Sequence, residues 1–258
     1  REIFWDANSN YNALQLRLDK RLSHGLSFQS SYTWSKAIDD ASTTETAFSN
    51  TPPGARMQDA FDTKAERGRS AFDTRHNFVT SATYELPRFN ANGVGDKLLN
   101  GWELTGILTY HTGFPFNVVL GFDRANDASV DDVAQRPDMV TGRTAESAVT
   151  GDPTRYIDST AFQVQPAGTY GNSGRNILEG PGFTTFDMGI YKNTTLFEKV
   201  RFQFRAEFFN LFNHANFAIP DNLVVFTSEQ STVPANFGRI TRTTSTSRQI
   251  QLGLKFIF

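Results

Sequence analysis

The feature that most restricts this chain is a period of two that returns in about seven separate stretches. Leu14, Leu16 and Leu18 alternate with Gln15, Arg17 and Asp19. Leu26, Phe28, Tyr32 and Trp34 alternate with Ser27, Gln29, Ser31, Thr33 and Ser35. Phe78, Ala82, Tyr84 and Leu86 do so with Asn77, Ser81, Thr83 and Glu85, and Trp102, Leu104, Leu108 and Tyr110 with Glu103, Thr105, Thr109 and His111. The same pattern runs through Phe186–Tyr191, Val200–Phe208 and Gln249–Phe258. Successive side chains of a strand point to opposite faces, so each stretch encodes one apolar and one polar face. A soluble antiparallel sheet also alternates, and length separates the two cases. These stretches reach roughly ten residues, the ~9–11 that a tilted strand needs to cross a bilayer, whereas soluble strands are usually about 5–6 residues long.

The links between the stretches alternate short and long. A tight turn at Ser23, His24 and Gly25 precedes a long link, Ala37–Thr74. A moderate link at Pro87–Gly101 precedes a very long one, Gly121–Gly182, and a short turn at Asn193–Lys199 precedes His214–Thr244. Short periplasmic turns and long external loops give membrane barrels this rhythm. If the final strand runs inward, all three long links are external and all three shorter ones periplasmic. The expected fold is all-β: an antiparallel up-and-down meander of about seven strands, a partial transmembrane β-barrel with open edges. The apolar set Leu14, Leu16, Phe28, Phe202, Phe204 and Leu252 should share the outer face. Gln15, Gln29, Gln203, Arg205 and Gln251 should share the inner one.

The net charge of −2, with both signs mixed along the chain, gives no electrostatic basis for nucleic-acid binding. There is no cysteine, which removes disulfides and thiolate metal sites. No apolar run reaches the ~18 residues of a transmembrane helix. The chain starts at Arg1 without a signal segment, which reads as a mature or truncated piece lacking upstream strands. Aromatic residues make up 13% of the chain, and Tyr32, Trp34, Tyr84, Trp102 and Tyr110 fall near strand ends, where interfacial belts form.

Few residues suggest chemistry. Asp187, Arg201, Arg205 and Glu207 fall on lumen faces of neighbouring strands, where they could touch a solute or plug, or form a solvated cross-strand charge network. Asp123, Asp127, Asp131, Asp132 and Asp138 cluster in one long link, but their spacing does not fit a calcium loop, and an acidic solvated loop is expected. The histidines His24, His76, His111 and His214 are dispersed and make no metal or triad motif. Gly171, Gly174, Gly180 and Gly182 are expected to allow tight turns before a strand. No cofactor, metal or catalytic residue is expected, and the chain does not read as an enzyme. The ending Gln251-x-Gly253-x-x-Phe256-x-Phe258 reads as an edge-strand signal for the barrel assembly machinery, with a terminal aromatic at the membrane interface.

The stretches SNYNALQLRLDKRLSHGLSFQSSYTWSKAIDD, FDTRHNFVTSATYELP, GWELTGILTYHTGFPFNV, GTYGNSGRNILEGPGFTTFDMGIYKN and RFQFRAEFFNLFNHANF resemble the barrel of TonB-dependent receptors, most of all the Oar-like branch. The resemblance spans nearly all of residues 1–258. It implies the last third of a 22-stranded, plugged barrel, with the plug, the N-terminal domain and the TonB-contacting box upstream. It also implies uptake of a bulky or scarce solute of unknown identity across the outer membrane, with membrane lipid and TonB as partners. A structural or adhesive surface protein is the alternative, and a barrel hydrolase built on a rim histidine a weaker one.

Overall fold

The computed structural model of the protein describes residues 7–42, 57–59, 61–127, 135–197 and 200–257. Seven long strands follow one another in the sheet in chain order: β1 (Ser9–Ser23), β2 (Leu26–Asp39), β3 (His76–Glu85), β4 (Trp102–His111), β5 (Phe183–Phe197), β6 (Val200–Phe209) and β7 (Gln249–Ile257). Each pairs antiparallel with the next, and β1 and β7 are the two edges of an unclosed sheet. The β1–β2 hairpin turns at His24 (φ 53°) and Gly25 (φ 77°), the paired left-handed conformation that matches strand twist in a two-residue turn.

Directly opposed residues share a face, so the register shows how the pattern is laid out. Leu16 opposes Tyr32, Tyr32 opposes Phe78, Phe78 opposes Tyr110, and Tyr110 opposes Thr184. Further along the sheet Ile190 opposes Ala206 and Ala206 opposes Leu252, while Phe202 opposes Phe256 with their rings 5.2 Å apart. The expected apolar set therefore lies on one face and the expected polar set on the other. The apolar face is not covered by a second layer: Leu16 is 55% exposed and Leu252 68%. A sandwich would bury these residues, so the sheet has the anatomy of a barrel wall. Trp34, Tyr32 and Tyr110, at the external ends of their strands, and Tyr84 and Trp102, at the opposite ends, all lie on this apolar face.

The three long links emerge at one end, as the alternation requires, with shifted bounds. Loop 40–75 starts after Asp39, and loop 112–182 starts nine residues earlier than the sequence pattern placed it, directly after His111. Pro115 cannot donate to a continuing ladder, and Phe116, Val118 and Leu120 turn away into a separate core. Loop 210–248 opens at Asn210, whose left-handed φ of 49° ends β6.

These loops pack together into an external cap. Short ladders join Pro115–Phe116 to Leu178–Glu179, Asp138–Met139 to Phe162–Gln163, and Val119–Leu120 to Val224–Phe226. Phe116, Leu120, Ile157, Leu178, Leu223 and Val225 form its buried centre. The hydrophobic core of the described residues thus sits in the loops, while the strands present their apolar side chains outward.

Candidate functional site

The cap is held by charged groups drawn from distant parts of the chain. Arg136 and Arg175 are buried to 1% and 2% exposure, and Glu66 is fully buried. The Arg136 guanidinium donates a bidentate pair to Glu66, 2.9 Å to each carboxylate oxygen, and its Nε donates to Ser173 O at 2.8 Å. Glu66 Oε1 also accepts from the Gln58 amide at 3.1 Å. Arg175 Nε donates to Glu66 O at 2.7 Å, its Nη1 to Ser42 Oγ at 2.8 Å, and its Nη2 to the Asp39 carboxylate at the tip of β2. One network therefore ties the end of a membrane strand to two external loops. A buried carboxylate and guanidinium tolerate removal from water only when their hydrogen-bonding groups are this fully engaged.

A second set braces the rim. Arg69 Nε donates to Asp73 at 2.8 Å and its Nη1 to Glu179 at 3.1 Å, while Asp73 accepts from the Ala37 amide at 2.7 Å. Asn216, fully buried, accepts from Thr184 N at 2.7 Å and donates to Thr184 O at 3.0 Å, imitating a ladder partner at the start of β5. Within the core, burial and the nearby Glu179 carboxylate push the Tyr156 hydroxyl up to about 12, so it stays a donor, here to Glu179 O at 3.1 Å.

Of the glycines expected at turns, Gly171 is also required by close packing. A Cβ on Gly171 would lie 2.0 Å from Arg136 O and 2.5 Å from the Pro137 carbonyl carbon. The site demands close backbone approach, which only glycine permits. Gly171→Ala is expected to cost the cap roughly 1–3 kcal/mol through overpacking. Faster amide exchange around Arg136 and Ser173, with the strands unchanged, is the readout; unchanged exchange at both would remove the close-approach role.

The four charged residues expected on the lumen side do share the polar face, yet they are spread along it. Asp187 accepts from the Asn210 amide at 2.8 Å at the external rim. Glu207 accepts from Tyr191 OH at 2.8 Å. Arg205 lies 5.9 Å from the Tyr191 ring centroid, and its Nε donates to Gln203 at 2.6 Å. Arg201, exposed, opposes Thr195 and Ile257 near the opposite end. None of the four forms an ion pair with another among the described residues.

In the C-terminal pattern, Gln251 and Gly253 lie on the polar face and Phe256 on the apolar one. Phe258 lies outside the described residues. A Cβ on Gly253 would make only ordinary contact with Arg205, at 3.8 Å, so crowding within the sheet does not require this glycine.

The acidic stretch is engaged in loop structure. Asp123 accepts from Gln135 Nε2 at 2.8 Å, Asp127 from Tyr170 OH at 3.0 Å, and Asp138 from Asn172 N at 2.7 Å; Asp131 and Asp132 lie outside the described residues. Among the described residues no group of three or more His, Asp or Glu is placed to hold a metal ion. Tyr32 OH meets His76 Nδ1 at 2.8 Å, and the His111 ring stacks on Phe183 at 5.0 Å. These histidines sit in rim packing, where they touch aromatic partners.

A strand meander with an uncovered apolar face, aromatic ends and a one-sided loop cap is a membrane barrel wall, and comparison with known families agrees. A family described as the outer membrane beta barrel domain matches residues 1–251. The chain belongs to that family. No curated protein and no solved structure matches it. As an outer membrane beta barrel domain, the protein is placed in the outer membrane, and the exposed apolar face of β1–β7 is the surface that meets lipid. Such families are typically non-enzymatic. The buried network Asp39–Arg175–Glu66–Arg136 escaped sequence reading. The signal present was glycine in the segment GTYGNSGRN, whose Gly171 marks a backbone contact.

Proposed function

We propose that this chain is the C-terminal part of the barrel of a TonB-dependent receptor of the Oar-like kind, taking up a bulky or scarce solute. The observation that carries the reading is the pre-formed cap. Loops 112–182 and 210–248 share one core, and a buried ion-pair network ties loop 40–75 to loop 112–182, which gives a fixed surface for solute capture at the mouth of a barrel. Preorganised loops bind without a large ordering cost. The resemblance of five long stretches to that receptor family supplies the remainder: a plug and TonB box upstream, and a wide barrel of which seven strands are one part. In this reading the polar face carrying Asp187, Arg201, Arg205 and Glu207 lines the lumen, and the chain has no catalytic role or cofactor.

The experiment compares spent-medium metabolites of the wild-type source strain, a strain lacking the intact protein and a strain lacking TonB. A solute whose depletion is lost in both mutants supports uptake. Unchanged depletion in the first mutant, with altered surface attachment, would replace transport by the adhesive alternative.

The C-terminal pattern carries its own prediction for the intact protein. Phe258→Asp puts a charge at the residue that the sequence pattern assigns to the membrane interface, where the cost of a charge is only roughly 0–1 kcal/mol. A large loss of heat-modifiable, protease-resistant barrel from outer-membrane fractions is expected, with Lys255→Ala normal. Normal assembly of both would leave this ending as an ordinary strand end.

A further inference from the structure

The periplasmic-side link between β3 and β4 has a structure that water does not explain. Residues 86–101 contain a helix of six residues, Val94–Leu99, none of them buried. A helix this short is unstable by itself in water, and amphipathic packing against the protein normally supplies what propensity lacks. Here the apolar side chains point away from the protein: Phe89 is 51% exposed, Val94 73%, Leu98 64% and Leu99 51%.

The segment is nevertheless fixed, and fixed on a particular side of the wall. Trp102 Nε1 donates to Leu98 O at 2.9 Å, Thr194 Oγ1 donates to Lys97 O at 3.3 Å, and Lys192 Nζ donates to Asn100 O. Trp102 and Lys192 oppose each other across β4 and β5, and Thr194 opposes Phe202, so all three side chains stand on the lipid face. Asn100 closes the segment on itself, accepting from Phe89 N at 2.6 Å and donating to Phe89 O at 2.9 Å. The link folds outward over the base of the lipid face.

Lys192 supports the same placement. An ammonium on the lipid face, between Trp102 and Phe204, is costly unless it reaches a polar partner. It is 7% exposed, satisfied by the Asn100 carbonyl, and sits 5.7 Å from the centroid of the Trp102 ring. The link thus screens the one lysine that the apolar face of β5 carries among its described residues.

We propose that residues 88–102 form a foot that inserts into the periplasmic leaflet of the outer membrane. Phe89, Val94, Leu98 and Leu99 enter the boundary between headgroups and acyl chains, continuing the apolar surface that starts at Trp102 and Leu104. Exposed Arg88 and Lys97 meet phospholipid phosphates. Its partner is bilayer phospholipid, as for an amphipathic helix lying in the interface plane. This assignment is independent of transport.

The test uses the intact protein in a cysteine-free background, reconstituted in bilayers of phosphatidylethanolamine and phosphatidylglycerol. Val94→Cys, Leu98→Cys and, as control, Asn92→Cys carry a nitroxide spin label. Heat-modifiable mobility confirms that each variant folds. Labels at positions 94 and 98 are expected to collide freely with oxygen, which partitions into lipid, and several-fold less with a water-soluble nickel chelate than the label at 92. Equal nickel access at all three positions would place the segment in the periplasm. Exclusion of both reagents at 94 and 98 would mean that protein covers them. Either result overturns the foot.

Discussion

Glu66→Ala is expected to loosen the external cap by about 3–5 kcal/mol, the cost of leaving a buried charge without its partner. The geometry makes this site unforgiving. Arg136 is 1% exposed and sends two hydrogen bonds to Glu66, while Arg175 is held beside it through the Glu66 carbonyl. Without the carboxylate, the Arg136 guanidinium keeps only its Nε bond to Ser173 O, and the Gln58 amide loses an acceptor. Since about 1.4 kcal/mol is a factor of ten, amide exchange in the cap should accelerate by roughly two to four orders of magnitude. The strands should keep their protection, because cap and wall are separate packing units, and local opening follows such units. The double variant Glu66→Leu with Arg136→Met tests the cause. Apolar replacement of a whole buried pair is often neutral, but here Ser173 O and Gln58 N lose partners, so partial recovery is expected. A single variant with wild-type cap exchange would show that the pair contributes nothing to the cap. Loss of heat-modifiable barrel in Glu66→Ala would show that the cap and the wall are one unit.

The division between wall and cap also explains what could be read from the sequence. The wall has a local code. Leu14, Leu16 and Leu18 against Gln15, Arg17 and Asp19 already specify a two-faced strand, and the register carries that code across to Leu252 and Leu254, shifting only beside the β1–β2 and β5–β6 turns. The turn at His24 and Gly25, the aromatic ends and the loop polarity follow from the same local pattern. The cap has no such code. Arg136 lies 70 residues from Glu66, and Arg175 lies 136 from Asp39. Its strands are mostly two residues long, too short for any period to register. Asp39, which the sequence pattern placed in the Ala37–Thr74 link and the structure places at the end of β2, offered no hint that its carboxylate would receive Arg175. The charges that did stand out, Asp187, Arg201, Arg205 and Glu207, were visible because they occupy alternating positions of regular strands. Alternation assigns a face but says nothing of partners, which turned out to be Asn210, Tyr191 and Gln203. The foot at residues 88–102 was hidden for a further reason. Phe89, Val94, Leu98 and Leu99 lie in the moderate link Pro87–Gly101, where no alternation marks them, and only the side chosen by Trp102, Thr194 and Lys192 gives their exposure a meaning.

Leu252→Arg should be the most informative change in the wall, because its neighbour Gln251 supplies an internal control. Leu252 sits near the middle of β7, opposes Ala206 and is 68% exposed on the lipid face. Gln251, one residue away, opposes Glu207 on the polar face. A cation facing lipid at the bilayer midplane costs a membrane barrel about 2–4 kcal/mol, while the lumen side is hydrated and imposes no such cost. Gln251→Arg should therefore be near neutral, since the new guanidinium would stand opposite a carboxylate. The comparison uses the intact protein refolded into phospholipid vesicles, which bypasses the assembly machinery and any role of Gln251 in its recognition. Reversible guanidinium titrations of the two variants should place the Leu252→Arg midpoint well below the wild type and the Gln251→Arg midpoint beside it. Equal penalties would show that both faces meet the same medium, as in a sheet that does not span the bilayer. A larger penalty at Gln251 would invert the wall, turn the polar side chains of β5 to β7 toward lipid and remove the lumen on which the transport reading depends.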